Sequence, residues 1–164
     1  MLHSKWNIIN EQGGKILHMN VEILPNYRLA YMRRVGPYGP RNNEIMTRLK
    51  RWASANNLMS AAILFGIPQD NPQVTQPEKC RYDVGIVITE AYQLDDSIAE
   101  QTFSGGKYAI YLVEHTEEAL QQAWSEIFPL LQKSGHQIDN KPIVERYSVE
   151  MLARGYCELC VPIL

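Results

Sequence analysis

Ile143-Val144-Glu145-Arg146-Tyr147-Ser148-Val149 and Tyr156-Cys157-Glu158-Leu159-Cys160-Val161-Pro162-Ile163 stand near the end of the sequence, just after Pro142. Each reads as a strand, the two are joined by a turn, and each sets a glutamate among apolar neighbours. Alternate side chains of a strand share a face. That groups Ile143, Glu145, Tyr147 and Val149, and separately Tyr156, Glu158 and Cys160. Burial disfavours a charged carboxylate unless a cation or hydrogen bonds compensate it. The two glutamates therefore either face water or line a site for a positive or polar ligand.

The hairpin decides the fold because of what precedes it. Lys107 to Val113 reads as a strand after a Gly105-Gly106 turn. Thr116-Glu117-Glu118 then opens a helix, with threonine as its cap and acids in its first turn. The helix runs to about Lys133 with an apolar stripe of Leu120, Ala123, Trp124, Ile127, Phe128 and Leu131; Pro129 is expected to bend or loosen it, and Gly135 to end it. The same order occurs once before. Tyr27 to Val35 reads as a strand, and Gly36-Pro37-Tyr38-Gly39-Pro40 breaks it. Asn42 or Asn43 is expected to cap a helix over 43–56 whose buried side holds Ile45, Leu49, Trp52 and Ala53. Strands follow at Ala61–Ile67 and Tyr82–Thr89, separated by a proline-rich loop over 68–79. A polar connection over 90–105 contains a short strand ending at Phe103.

The expected fold class is therefore α+β. Two duplicated βαββ halves, about 19–90 and 98–164, form a curved antiparallel sheet with two main helices around a central ligand groove, a favoured place for small molecules. Residues 1–18 are read as a tail or an extra strand.

Composition narrows the function. At 164 residues, 45% hydrophobic, 21% charged and net charge −2, the chain is not basic enough to suggest nucleic-acid binding. No apolar run approaches a membrane span, and no basic-then-apolar leader opens the sequence, so a cytoplasmic protein is expected. Cys80, Cys157 and Cys160 fit a reducing compartment. Residues three apart on a strand point to opposite faces, so Cys157 and Cys160 do not converge on a metal; His3, His18, His115 and His136 are scattered singly. No nucleophile elbow, metal motif or phosphate loop is present. No metal and no cofactor are expected.

In order along the chain stand Gly36-Pro37-Tyr38, Trp52-Ala53, Pro77-Glu78-Lys79-Cys80-Arg81-Tyr82-Asp83, Gly105-Gly106-Lys107-Tyr108-Ala109, Ala123-Trp124, Ser134-Gly135, Pro142, Glu145-x-Tyr147 and Glu158-Leu159-Cys160-Val161-Pro162-Ile163. With this set, from about residue 19 to the C-terminus, the chain resembles the effector-binding (GyrI-like) domains. That family includes the bacterial DNA gyrase inhibitory protein and the ligand-binding parts of AraC-type and MerR-type multidrug regulators. The resemblance implies two βαββ halves around a cavity that takes lipophilic, often cationic, small molecules. It implies that Glu145 recognises the cation and that aromatic side chains stack on the ligand; the position of Glu158 is also commonly acidic in the family. Cys160 stands where the family often has an aromatic. No helix-turn-helix pattern precedes residue 19, so direct DNA binding is not expected.

The candidate ligand residues are Glu145, Glu158, Tyr147, Trp124, Tyr38, Tyr108 and Tyr82. Each has a structural reading beside it: Trp124 sits on an apolar helix stripe, Tyr38 follows a turn, and edge strands commonly carry outward glutamates. Tyr108 and Tyr111 point to opposite faces, so only one of them can face the groove. Three functions follow. The leading one is a stand-alone small-molecule-binding protein for lipophilic, cationic or electrophilic compounds, in drug sensing or sequestration. The second, which the resemblance implies through stand-alone members of the family, is a metal-independent hydrolase that opens cyclopropane-type electrophiles, with Glu145, Glu158 and Tyr147 as its catalytic set. The third is a protein–protein inhibitor of DNA gyrase. The expected partners are a small hydrophobic ligand and, by resemblance, DNA gyrase or a transcription regulator.

Overall fold

The structure is a computed structural model that describes residues 15–164 and the backbone of residues 7–8. The expectation for residues 1–18 falls largely on residues outside that range. Two compact units divide the chain: a central unit, Pro25–Gly105, and a terminal unit of Gly106–Leu164 with the strand that ends at Leu24.

The central unit contains β3 (Tyr27–Val35), α1 (Asn42–Ala55), β4 (Ile63–Pro68), β5 (Arg81–Ile88) and β6 (Ala99–Phe103). Its strands are antiparallel in the order β4-β5-β3-β6. Helix α1 lies on β3 and β5. Its Ile45, Met46, Leu49 and Ala53 are buried with Ala30, Leu64, Val84 and Ile86 of the sheet. Burial of Ile45 or Leu49 contributes roughly 1.5–3 kcal/mol each. Tyr27, Phe65 and Phe103 form an aromatic cluster, with Phe65 and Phe103 stacked at 4.6 Å between ring centres.

Neither asparagine caps α1. The N-cap is Arg41, without a side-chain bond. The first-turn N–H groups of Asn42, Asn43 and Glu44 bond back to the carbonyls of Gly39, Pro40 and Arg41, and Asn42 Oδ1 accepts instead from Arg34. The Gly-Pro turn thus does the work a side chain would have done. Trp52 is half-buried, and its indole N–H donates to Ser97 Oγ at 3.0 Å.

The terminal unit contains β1 (Asn7–Ile8), β2 (Ile16–Leu24), β7 (Gly106–Glu114), α2 (Glu117–Lys133), β8 (Val144–Ser148), α3 (Val149–Arg154) and β9 (Tyr156–Pro162). Its antiparallel strand order is β1-β2-β7-β9-β8. Thr116 caps α2 by accepting from the Ala119 N–H at 3.1 Å. The buried line of α2 is Ala119, Ala123, Ile127 and Leu131; Leu120 and Trp124 are half-buried and Phe128 is exposed. Pro129 lies inside the helix, which continues to Lys133.

The closing hairpin differs from its reading in one respect. The first strand stops at Ser148, not Val149. Ser148 Oγ accepts from the Met151 N–H at 3.1 Å and starts the short helix α3, so Val149 leaves the face of Glu145 and Tyr147. Gly155, at φ 79°, takes the left-handed conformation that ends α3 and leads into β9.

Candidate functional site

Cross-strand partners share a face of a sheet, and the register of the terminal unit sorts its side chains into two sets. Glu145 pairs with Leu159, Leu159 with Tyr111, and Tyr111 with Met19. One strand position away, Arg146 pairs with Glu158, Glu158 with Leu112, and Leu112 with His18. Glu145 and Glu158 therefore lie on opposite faces, and the structure does not bring them together.

On the first face, Tyr147 stands two residues from Glu145 and donates its hydroxyl to Glu145 Oε2 at 3.3 Å. Among the described residues, Glu145 has no cation within ion-pair distance. Burial pushes its carboxyl above the usual range, and the Tyr147 hydrogen bond opposes that only in part. Tyr147 is itself buried, with the His115 ring 5.3 Å away. Tyr111 is fully buried on the same face, and its hydroxyl has no hydrogen-bond partner among the described residues. Burial raises its phenol to about 12, so it stays protonated as a donor. At about 4.8 Å per strand, Tyr111 lies ~10 Å across the sheet from Glu145. Cys157 shares this face; burial, then the Glu145 charge, pushes its thiol up and keeps it inert.

The opposite face carries a built ion pair. Arg146 Nε donates to Glu158 Oε1 at 2.9 Å, and its Nη2 reaches Glu22 Oε2 at 3.5 Å. Glu158 is 1% exposed, and its Oε2 has no hydrogen-bond partner among the described residues. Tyr108 lies on this side, paired in register with Glu22 and Pro162, with Lys141 Nζ 5.2 Å from its ring centre. Cys160 is here too, its thiol raised by burial to about 12.

The remaining candidates are elsewhere. Trp124 is half-buried on α2. Tyr38 and Tyr82 belong to the central unit, with ring centres 6.3 Å apart. The Tyr38 hydroxyl donates to the Arg81 carbonyl at 2.8 Å and accepts from the Asp70 N–H at 3.0 Å, while Asp70 chelates the Arg81 guanidinium. These bonds tie the proline-rich loop to the Gly-Pro turn. The sequence reading allowed only one of Tyr108 and Tyr111 to face the groove and took Tyr108 as its candidate; it is Tyr111 that shares the face of Glu145. The odd spacing of Tyr108 and Tyr111 tells that they face opposite ways, but only the register with β8 tells which one shares the face of Glu145.

The GyrI-like small molecule binding domain model matches residues 19–164. The chain belongs to this family. Over 148 residues it is 40% identical to the SPbeta prophage-derived protein YosT of Bacillus subtilis strain 168, whose name proposes a role as a transcriptional regulator; the match covers 90% of this chain and 99% of that one. It is 25% identical over 142 residues to the DNA gyrase inhibitor of Salmonella typhimurium, covering 83% of this chain and 91% of that protein. A solved structure of similar fold is SAV2435 bound to tetraphenylphosphonium, at a TM-score of 0.55 and 13% identity, covering 89% of this chain and 93% of that one. The chain is thus a small-molecule binding domain with regulator and gyrase-inhibitor relatives. No helix among the described residues is long and apolar enough to cross a membrane.

Proposed function

We propose that the chain binds lipophilic cations on the Glu145 face of its terminal unit, in drug or toxin sensing or sequestration. One observation carries this reading: Glu145 is a carboxylate raised by burial, met by one long hydroxyl bond and by no cation among the described residues. Such a charge is costly until an opposite one arrives. A cation gains from it and a neutral analogue does not, which is the basis of selectivity. Tyr147 and Tyr111 supply aromatic faces whose attraction for a cation is worth about 1–2 kcal/mol. The two units, each containing a strand, a helix and two strands in that order, are read as copies of one motif. The relative solved with tetraphenylphosphonium makes that cation the natural probe. Calorimetric titration of tetraphenylphosphonium is expected to give an affinity that Glu145→Gln lowers about tenfold or more, near 1.4 kcal/mol. Equal affinity for both proteins contradicts the reading.

A second reading uses the same raised carboxyl as a general acid toward a cyclopropane-bearing electrophile. Water would add its oxygen to the electrophilic ring carbon, the strained C–C bond would break, and the proton would go to the carbon released. Turnover beyond one equivalent favours this reading, and stoichiometric protection favours binding alone.

A further inference from the structure

We propose that the central unit carries an oxyanion site, separate from the Glu145 face, that takes a phosphate dianion, free or as the phosphomonoester of a small molecule. The place is a cleft of about 220 Å³ where the end of β3 meets the start of α1, lined by Arg33, Arg34, Arg41, Glu44 and Arg48 with Val35 on its rim. Residues 41, 44 and 48 fall on one side of α1 at helical spacing.

The charge count of the cleft leaves a surplus. Arg33 is already answered by Asp83, which receives its Nε at 2.7 Å and its Nη2 at 2.9 Å. Arg41 has Glu44 as its partner, 3.8 Å away. Arg34 and Arg48 have no carboxylate within ion-pair distance among the described residues. Arg34 is nevertheless held in place, because its Nη1 donates to the Pro37 carbonyl at 2.8 Å and to Asn42 Oδ1 at 3.0 Å. Its guanidinium also lies over Gly36, where a Cβ would meet Nη2 at 3.4 Å and the φ of 148° already disfavours any side chain. Neutral acceptors thus fix the side chain and leave its charge unspent. A planar fork so placed, with Arg48 lining the same cleft, suits the paired oxygens of phosphate. Two uncompensated cations match the two charges of the dianion.

The test is calorimetric titration of the full chain at low salt, with inorganic phosphate in one arm and adenosine monophosphate in the other. Saturable binding of at least one probe is expected. Tighter binding of the nucleotide assigns the site to a phosphomonoester, and equal binding assigns it to free phosphate. Arg34→Gln and Arg48→Gln should each weaken binding about tenfold or more, and Arg51→Gln, on the same helix but outside the cleft, by less than about twofold. Val35→Glu, at an exposed rim position, should abolish binding without moving the thermal midpoint, which guards against misfolding of the Arg34 variant. No saturable binding of either probe, equal losses in all three arginine variants, or full affinity in Val35→Glu overturns the proposal.

Discussion

Asp83 in the central unit and Glu145 in the terminal unit are both carboxylates on sheet strands, yet they end in opposite conditions. Asp83 pairs in register with Arg33, and it also receives the side-chain amides of Gln69 and Gln101 at 3.0 Å each. It is fully buried and fully answered. Glu145 pairs in register with Leu159, and one hydroxyl at 3.3 Å is all it receives among the described residues. Glu158, one position along β9, pairs with Arg146 and falls between these cases. The cross-strand partner therefore decides whether a strand carboxylate meets a cation within its own sheet. The carboxylate opposite arginine is compensated; the one opposite leucine has no cation beside it among the described residues.

The largest break in this contrast is expected on the structural side. Arg146→Met leaves Glu158 buried without a cation and should cost about 3–5 kcal/mol in urea denaturation; adding Glu158→Leu should recover most of it. Asp83→Leu removes the acceptor from two glutamine amides and an arginine. Because Arg33 is 37% exposed and can turn to water, the expected loss is smaller, about 2–3 kcal/mol. Glu145→Gln should behave in the opposite sense, with no loss of stability at neutral pH. Burial raises the folded-state carboxyl of Glu145 above its unfolded value, so its stabilising contribution is present in acid and is lost as pH rises through the folded pKa. The stability of wild type relative to Glu145→Gln should therefore fall as pH rises above the ordinary glutamate value of about 4.3, as followed by urea midpoints across pH. Tyr147→Phe is the mildest change. It removes the one hydrogen bond to Glu145, should raise that carboxyl further, and should alter tetraphenylphosphonium affinity by less than about fivefold, near 1 kcal/mol.

Much of the fold was legible because its signals are local. The Thr116 cap, the buried Ile45, Leu49 and Ala53 of α1 and Ala123, Ile127 and Leu131 of α2, and the strands around Ala30 and Ala109 follow from spacing and turn chemistry alone, whereas Phe128, expected on the buried stripe, is exposed. Helix α3 was missed because Val149 extends the alternation of β8 by one residue, while the competing signal, Ser148 as a cap with Gly155 as a stop, is shorter than a strand pattern. The Asn42 cap failed for a tertiary reason, since Arg34 claims its side-chain oxygen. The pairing of Glu145 with Tyr147 was legible from their spacing of two along one strand. The separation of Glu145 from Glu158, and the presence of Tyr111 on the Glu145 face, were not. Both depend on the register of β8 against β9 and of β9 against β7, and a slip of one residue would exchange the two faces.

The central claim, that Glu145 is a poised and uncompensated carboxylate, is tested most directly by carbon NMR of the protein labelled at its glutamate carboxyls. The Glu145 resonance, assigned by its loss in Glu145→Gln, would be titrated with and without tetraphenylphosphonium. The account predicts a midpoint above the ordinary glutamate value of about 4.3 that drops when the cation binds. A midpoint at the ordinary value, unmoved by the cation, would contradict it.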